Sequence, residues 1–435
     1  MQTICGYQQQ IEKLKQYFKK GEKDKQQFKT GVEIEHFILE KDTLEAVSYF
    51  GPYGIEMFLQ ELTLKGYQPV RENEHIIGLN ADDVSITLEP GGQFELSIVP
   101  EKSLASIEKK YLKHINNINK TLKKYDKVLF AAGYQPVSSI NTIPLLPKQR
   151  YKYMYEYFKK RGTYAHNMMK GTASIQVNVD YSSEIDFIKK MKVASYLSPV
   201  IYNVFDNAPF FEGEEFYEQN VRSLIWNNCD TDRCGLIDGV FSEDFSYDNY
   251  ADFVLSTPAI FLDNRNTLKY TGETKIKDMF DPLDITEKEV EHFVSMVFPD
   301  IRLKKYIEIR MGDSLPYPYS MSYTALWKGL LYDEDNLNSL YNRSRNYSKK
   351  EILKIRADGL NGRYKNKDIF EIFSELIDMA RNGLDKEEKK YLNYLEDFIK
   401  KDMSPKFMIL KKLENIEKRK VLVENIIAPE KYNKD

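Results

Sequence analysis

Gly31-Val-Glu-Ile-Glu-His-Phe-Ile-Leu39 is the stretch from which the fold of this chain can be worked out. Apolar and polar residues alternate along it and β-branched residues are frequent, so it is predicted to be a β-strand. Because side chains two residues apart share a face, Glu33 and Glu35 lie on one face and His36 lies on the apolar face. Taken alone, the glutamates fit a strand with one solvated face. The alternative is a platform for divalent cations, since hard cations such as Mg²⁺ prefer carboxylate oxygens.

Three further alternating stretches have a polar face of the same kind, and they carry Gln93 and Glu95, Gln176 and Asn178, and Glu308 and Arg310. The solvated face of an antiparallel sheet usually carries Lys, Thr and Ser instead. A face dominated by Glu, Gln and Asn, with an arginine beside a glutamate, is typical of a metal–nucleotide site. Several carboxylates can share two or three Mg²⁺ ions that bridge triphosphate oxygens, and a guanidinium suits the transferring phosphoryl group.

Composition and charge exclude several other classes of protein. The chain has 435 residues, of which 42% are hydrophobic and 30% charged, and its formal net charge is -3. This balance gives no general case for binding nucleic acid or an anionic membrane, so local cations must hold any anionic substrate. Neither a signal peptide nor a membrane-spanning run is evident, and cysteines are few, which predicts a cytoplasmic protein. Cys229 and Cys234 could meet across a loop, and a redox-sensitive bridge between them stays open.

Familiar catalytic motifs are absent from the sequence. It contains no GxxxxGK[ST] loop, no GxGxxG turn after a strand, no HExxH zinc motif and no GxSxG elbow. P-loop, dinucleotide-binding, zinc-protease and α/β-hydrolase chemistry are therefore disfavoured. A two-metal phosphohydrolase would also use carboxylates, but it typically needs histidine ligands, and the five histidines are scattered.

The remaining patterns predict the other elements of the chain. Helices are expected over residues 7–28, 55–65, 104–125, 151–158 and 184–207, the last interrupted by Pro199, and from about Ser322 onward. Shorter strands are expected near Val70 and over 76–79 and 84–88, with a turn at Pro90-Gly91-Gly92 and a single strand over 298–312. Residues 162–169 and 220–235 are predicted to be loops.

With these motifs in place, the chain resembles the plant-type glutamate–cysteine ligases, also found in bacteria, within the glutamine-synthetase-like carboxylate–amine ligases. The matching stretches are Gly31-Val-Glu-Ile-Glu, Glu89-Pro-Gly-Gly-Gln-Phe-Glu-Leu-Ser, Arg150-Tyr-Lys-Tyr-Met, Met168-Met-Lys-Gly-Thr-Ala-Ser-Ile-Gln-Val-Asn-Val-Asp, Val221-Arg-Ser-Leu-Ile-Trp, Asp232-Arg-Cys-Gly and Phe298-Pro-Asp-Ile-Arg-Leu-Lys-Lys-Tyr-Ile-Glu-Ile-Arg. They extend over roughly residues 30–312 in the expected order, which is far more specific than any one motif.

The resemblance implies an α+β fold in which a curved, mainly antiparallel sheet lines the active site and helices pack on its outer side. It implies one catalytic domain over residues 1–435, with the sheet and all motifs in 1–320 and a mainly helical layer in 321–435. The implied reaction joins the γ-carboxylate of L-glutamate to the amine of L-cysteine through a γ-glutamyl phosphate. ATP and two or three Mg²⁺ ions are required, and the product is γ-glutamylcysteine, the first intermediate of glutathione-type thiol synthesis. A monomer or homodimer without nucleic-acid or membrane partners is expected.

The resemblance also implies roles for individual residues. Metal ligands would be Glu33, Glu35, Glu89, Glu95, Gln176 and Glu308, and Glu308 would act in catalysis together with Arg310. Substrate-binding residues would be Arg150, Asn178, Arg222, Trp226 and Arg233. An alternative for Arg233 is that it simply pairs with Asp230 or Asp232.

Two departures from the family pattern affect what can be said about the acceptor. Members commonly read Thr-Cys-Thr-Val where this chain has Thr172-Ala-Ser-Ile, and Gly-Ala-Asp where it has Met311-Gly-Asp. Both lie near the expected substrate, so a γ-glutamyl ligase with another amine acceptor is the main alternative. A non-catalytic nucleotide-binding relative is a further one, disfavoured because it would not need the whole set of charged residues.

Overall fold

The computed structural model describes residues 4–218, 220–264, 267–361 and 367–427. The strands are β1 (Thr30–Glu40), β2 (Gln68–Glu72), β3 (His75–Ala81), β4 (Val84–Leu88), β5 (Phe94–Glu101), β6 (Lys127–Phe130), β7 (Ser174–Val179), β8 (Phe210–Phe211), β9 (Glu214–Glu215), β10 (Cys234–Gly235), β11 (Pro258–Asn264), β12 (Thr267–Lys275), β13 (Phe298–Pro299), β14 (Ile301–Leu303) and β15 (Ile307–Asp313). The helices are α1 (Ile4–Lys19), α2 (Ile55–Thr63), α3 (Leu104–Leu122), α4 (Gln149–Phe158), α5 (Ala165–Gly171), α6 (Glu184–Val204), α7 (Val221–Asn227), α8 (Tyr247–Ser256), α9 (Glu287–Val294), α10 (Tyr319–Leu331), α11 (Glu334–Ser344), α12 (Lys349–Asn361), α13 (Lys367–Gly383), α14 (Glu396–Lys401), α15 (Pro405–Leu413) and α16 (Lys418–Leu422).

One large sheet organises the molecule, and β1 lies near its middle. Its strand order is β14-β15-β7-β1-β5-β4-β3-β2, and β6 pairs with the second half of β1. Every neighbouring pair in this sheet is antiparallel. The predicted α+β fold with a mainly antiparallel sheet is confirmed.

The two faces of β1 differ as its alternation predicted. Val32, Ile34 and His36 are buried on the apolar face. The His36 ring nitrogen Nε2 lies 2.9 Å from the hydroxyl of Tyr111 on α3, which shows that this helix covers the apolar face. Burial lowers the pKa of His36 to about 4, so the ring is neutral at physiological pH. Helices α6 and α10 also contact strands of the sheet, and the opposite, polar face is left to line the site.

Two segments predicted as loops are helical. Residues 220–235 begin with α7, where the side chain of Asn220 caps the helix by accepting from the Ser223 amide at 2.7 Å. An asparagine before a run of helix-compatible residues is an N-cap signal, and the prediction missed it. Residues 162–169 likewise contain the start of α5. Both helices carry residues that line the cavity described below as the candidate site.

The single strand predicted over residues 298–312 is wrong. The chain instead forms β13 and then a hairpin of β14 and β15, closed by the Lys304 amide, which donates to the Tyr306 carbonyl at 2.8 Å. Alternation alone does not reveal a turn when its residues are also alternately polar and apolar.

The predicted interruption at Pro199 is also wrong, because α6 runs through it. Most of α6 is buried, and this packing outweighs the loss of one backbone hydrogen bond.

The C-terminal part of the chain is helical, as predicted. From Tyr319 onward, every α or β element within the described ranges is an α-helix. No helix in the described ranges is long and apolar enough to cross a membrane. Cys229 and Cys234 are free thiols, with Cys229 buried. The single-domain organisation and the redox-sensitive bridge remain predictions.

Candidate active site

The polar face of the sheet forms the floor of two adjoining cavities. The central cavity, lined by Glu35, Arg222 and Arg310 among others, has a volume of about 320 Å³. The side cavity, lined by Asn178 and Tyr306 among others, has a volume of about 510 Å³. Glu33 lines both cavities. Both volumes are in the usual range for small-ligand sites, and the shared glutamate marks their junction.

Most of the predicted site residues meet in the central cavity, whose lining includes Glu33, Glu35, Glu89, Glu95, Arg150, Gln176, Arg222, Trp226 and Arg310. Asn178 lines the side cavity. Glu308 and Arg233 line neither cavity. The register of β1, β5, β7 and β15 brings the strand residues of this set together, and helices α4 and α7 add Arg150, Arg222 and Trp226.

An acidic wall is formed where β1 pairs with β5 and β7. Glu35 is directly opposite Glu95 in the register. The carboxylate of Glu35 accepts from the Ser174 amide at 2.8 Å and from Gln176 Nε2 at 2.7 Å. Ser174 belongs to one of the departures from the family pattern, and its backbone and hydroxyl both contact this carboxylate. Gln176 therefore presents its amide nitrogen, not its oxygen, to the acidic wall.

The acidic wall holds more negative charge than its neighbours neutralise. Burial and the nearby charge of Glu89 raise the pKa of Glu35 to about 7. Burial, followed by the charges of Glu33, Glu89 and Glu35, raises the pKa of Glu95 well above its ordinary value. Hard oxygen donors with unmet charge are the chemistry that suits a divalent cation. In the described part of the chain these carboxylates do not converge as a ready-made group of three or more metal ligands.

Three donors at another side of the central cavity lack acceptors. Nε of Arg150, Nε of Arg222 and Nε1 of Trp226 are buried and have no hydrogen-bond partner among the described residues. Helix α4 supplies the first, and α7 supplies the other two, with the Arg222 guanidinium 5.3 Å from the Trp226 ring. Buried donors are costly when unpaired, so an acceptor supplied by a ligand would stabilise this group. A carboxylate provides both the oxygens and the opposite charge.

Glu308 is surrounded by cations. Its carboxylate accepts from Arg302 Nε at 2.6 Å, Lys304 Nζ at 2.9 Å and Arg310 Nη1 at 3.1 Å. Burial alone would raise the pKa of Glu308, but these three cations hold it well below its ordinary value. The structure therefore places this predicted metal ligand in ion pairs behind Arg310, where it orients the guanidinium.

Arg233 has a set of buried partners of its own. Its Nε donates to Asp230 at 2.7 Å, and neither side chain is exposed. Its remaining donors reach the Met296 carbonyl at 2.6 Å and the Tyr157 hydroxyl at 3.0 Å. Of the alternatives for Arg233, pairing with Asp230 is the one that the structure shows.

Sequence reasoning missed several residues of the central cavity. Lys148 lies in its wall and donates to the Leu88 carbonyl at 2.9 Å, and burial lowers the pKa of Lys148 to about 8. Arg302 and Lys304 also line this cavity. All three stand in or next to matching stretches, but lysine and arginine are common on surfaces, and only their burial distinguishes them. Apolar side chains complete the lining: Met154, Met168, Met169 and Phe298.

Comparison with known sequences gives a consistent result. The model of the family described as Glutamate-cysteine ligase family 2 (GCS2) matches residues 29–406. The chain is 31% identical over 397 residues to glutamate–cysteine ligase B, chloroplastic, of Oryza sativa subsp. japonica, a match that covers 89% of this chain and 80% of that protein. It is 31% identical over 409 residues to the chloroplastic glutamate–cysteine ligase of Arabidopsis thaliana, covering 91% of this chain and 78% of the relative.

Comparison with solved structures gives a similar fold. The crystal structure of glutamate–cysteine ligase from Francisella tularensis in complex with AMP aligns with a TM-score of 0.57 at 13% sequence identity. The alignment covers 92% of this chain and 87% of that chain. At this identity the match concerns the fold.

Proposed function

The chain belongs to glutamate–cysteine ligase family 2, and on this premise we propose that it is the ATP-dependent ligase that joins L-glutamate to L-cysteine. The products are γ-glutamylcysteine, ADP and phosphate. The observation that carries the proposal is that one cavity is lined both by the acidic wall with Glu35 and Glu95 and by the guanidinium of Arg310. A phosphoryl transfer between two anions needs cations on each side of the reacting groups.

We assign L-glutamate to the three unpaired donors. Arg150, Arg222 and Trp226 offer buried N–H groups to a carboxylate. Arg222 also donates through Nη2 to the backbone carbonyl of Arg310 at 2.7 Å. A glutamate bound through its α-carboxylate would therefore be held next to the strand that carries Arg310. Its γ-carboxylate can then reach the phosphoryl group that this arginine faces.

The side cavity suits the nucleoside part of ATP. Its lining includes the apolar side chains of Val84, Ile98 and Tyr306 together with Lys23. Because Glu33 lines both cavities, a nucleotide placed there would direct its phosphates toward the central cavity. Glu33, Glu35 and Glu95 would hold Mg²⁺, with Glu89 as a further oxygen donor, while Gln176 orients Glu35 through its amide nitrogen. When bound, the ions neutralise phosphate charge.

The chemistry follows in two steps. An oxygen of the glutamate γ-carboxylate attacks the γ-phosphorus of ATP, the bond from that phosphorus to the bridging oxygen breaks, and ADP leaves. Arg310 stabilises the charge on the transferring phosphoryl group. Its guanidinium is held in place by a hydrogen bond from Nη1 to the carboxylate of Glu308 at 3.1 Å. The amine of cysteine then attacks the carbonyl carbon of the acyl phosphate, the bond from that carbon to the phosphate oxygen breaks, and the departing phosphate takes up the amine proton.

An apolar part of the central cavity is available for the acceptor. Met154, Met168 and Phe298 line it, and sulfur and aromatic groups pack well against a thiol side chain. The alternative, a γ-glutamyl ligase for a different amine, concerns only this part of the site. Discrimination by one methylene in such a pocket amounts to about 10- to 200-fold.

An amine-panel assay tests the proposed function. The purified protein is given ATP, Mg²⁺ and L-glutamate with L-cysteine, 2-aminobutyrate, alanine or glycine, and ADP release and the mass of the product are measured. We expect cysteine to give the highest kcat/KM and a γ-linked product, and a chelator of divalent cations to abolish turnover. Absence of stimulation by cysteine contradicts the proposal. A preferred amine other than cysteine selects the alternative acceptor, and ADP release without any amine product indicates a phosphohydrolase.

Replacing Arg222 with leucine is expected to raise the KM for glutamate by about 10- to 100-fold, since one charge-assisted pair with the carboxylate is lost. The affinity for a non-hydrolysable ATP analogue should stay unchanged, because Arg222 does not line the side cavity. Steady-state kinetics and calorimetry measure the two quantities. A matched control is Arg343→Leu, which removes an exposed arginine paired with Glu375. An unchanged KM for glutamate would show that the carboxylate binds elsewhere.

Two further expectations belong to this proposal. A cytoplasmic setting is supported by the free thiols of Cys229 and Cys234. A monomer or a homodimer is expected, with small molecules as the partners.

A further inference from the structure

The hairpin of β14 and β15 concentrates positive charge at the edge of the central cavity. Arg302, Lys304 and Arg310 all donate to one carboxylate, that of Glu308. No other carboxylate of the described residues lies within 4 Å of these three cations. The cluster therefore carries two positive charges more than it neutralises. Glu308 is unexposed and the three cations are only 10%, 22% and 13% exposed, so water screens this excess poorly.

Arg302 has at most one of its five N–H groups left for a ligand. Its Nε and Nη2 bind Glu308 at 2.6 and 3.1 Å, and its Nη1 donates to the Val297 carbonyl at 3.2 Å and more weakly to the Ser295 carbonyl at 3.4 Å. Arg302 and Glu308 are also directly opposite each other in the pairing of β14 with β15. The bidentate pair of Arg302 with Glu308 therefore has a structural role: it fixes the carboxylate that also binds Lys304 and Arg310.

Lys304 is held by fewer hydrogen bonds than Arg302. An ammonium has three donors, and those of Lys304 reach Glu308 at 2.9 Å and the Tyr306 hydroxyl at a long 3.4 Å. It is the most exposed of the three cations and lies in the turn after β14. It lines the central cavity, while Tyr306 lines the side cavity. Its charge is thus positioned at the passage between the two.

We propose that Lys304 binds the phosphate chain of the nucleotide at this passage, as a second cation beside Arg310. The proposal rests on the proposed ligase function, which requires a triphosphate between the two cavities. Phosphate oxygens bridging Lys304 and Arg310 would neutralise the excess charge of the cluster, and Glu33 and Glu35 face them from the acidic side of the same cavity. Lys304 acts as a point charge and Arg310 as a planar fork, the two usual modes of phosphate recognition.

The substrate carboxylate is a less suitable ligand for Lys304. The unpaired donors of the central cavity that we assign to the carboxylate, on Arg150, Arg222 and Trp226, belong to α4 and α7 rather than to the hairpin. Lys304 is instead next to Tyr306, with its ammonium 5.4 Å from the centre of that ring, in the wall of the cavity that we assign to the nucleoside. The two assignments make opposite predictions for the affinities of nucleotide and glutamate.

Replacing Lys304 with methionine tests the proposal. Calorimetry with Mg²⁺ present measures the dissociation constants of a non-hydrolysable ATP analogue and of AMP. We expect the affinity for the triphosphate to fall by about 10- to 100-fold, the usual effect of losing one charge-assisted contact, and that for AMP to change by less than about threefold. The variant should still fold, because Arg302 and Arg310 still neutralise Glu308. Lys304→Gln serves as a second variant, with a neutral polar side chain.

Lys305→Met is the matched control, since the neighbouring lysine pairs with Glu291 at 2.9 Å away from both cavities. It should bind both nucleotides as the unmodified protein does. Unchanged triphosphate affinity in Lys304→Met, an equal loss for AMP, or a raised KM for glutamate alone would each overturn the assignment. If the unmodified protein binds no ATP analogue, the ligase function itself fails, which is distinguishable from failure of the variant alone.

Discussion

Replacing Arg310 with methionine is expected to lower kcat by about 10³-fold or more, the largest effect of any single change in the site. An arginine that stabilises a transferring phosphoryl group typically contributes this much. Arg310 lies at a register shift between Ile309 and Gly312, where a bulge can redirect a side chain, and it lines the central cavity. Rapid-quench measurement of γ-glutamyl phosphate formation reports on the affected step directly.

The fold should tolerate this change, because Glu308 keeps Arg302 and Lys304 as partners. The thermal unfolding temperature is therefore expected to shift by only a few degrees. Arg310→Lys keeps the positive charge but loses the planar geometry of the guanidinium. We expect its kcat to lie between that of Arg310→Met and that of the unmodified protein, since an ammonium cannot form the planar fork. Turnover near that of the unmodified protein in Arg310→Met would show that another group stabilises the phosphoryl transfer.

Replacing Arg233 with methionine is expected to destabilise the protein by about 3–5 kcal/mol without changing the KM for glutamate. The change leaves the carboxylate of Asp230 buried without its cation, and an unpaired buried charge has a cost of this size. The Met296 carbonyl also loses its donor. Denaturant unfolding measures the stability, and kinetics on the remaining folded protein measures KM. This result would show that Arg233 has a structural role and Arg222 a role in substrate binding, although both stand in stretches that match the family.

The double variant Asp230→Asn with Arg233→Met provides the control. Removing both charges should restore a substantial part of the lost stability, because the cost comes mainly from the unpaired charge. A raised KM for glutamate in Arg233→Met, with stability unchanged, would show that Arg233 binds substrate and would contradict the structural role. The same comparison of single and double variants, applied to the exposed pair of Arg343 and Glu375, should give a change in the free energy of unfolding of less than about 1 kcal/mol.

Period-two alternation allowed much of the site to be predicted. Glu33 and Glu35 share a face of β1 because successive side chains of any strand alternate, and the same rule applies to Glu95 and Gln176. Once antiparallel pairing places β1 between β5 and β7, these side chains must be neighbours. The order of the motifs then identified the family, and the polar face proved to line the cavities.

Other parts of the site could not be predicted because they depend on hydrogen-bond partners. Gln176 was expected to offer oxygen to a metal, and it instead donates Nε2 to Glu35. Glu308 was expected to bind a metal, and it instead binds Arg302, a residue that becomes its cross-strand neighbour only when the hairpin turns. An amide or a carboxylate has several possible partners, and the sequence does not indicate which one lies within 3 Å.

The sequence by itself determined the antiparallel sheet, its polar face and the family, because these follow from local alternation and from the order of short motifs. Only the tertiary structure decided that Arg222 lines the central cavity while Arg233 is buried in an ion pair, and that Lys304 lines the same cavity next to Tyr306. The physical reason is that burial and pairing depend on which distant segments pack together. Identical residue types acquire different roles from the charges and cavities around them.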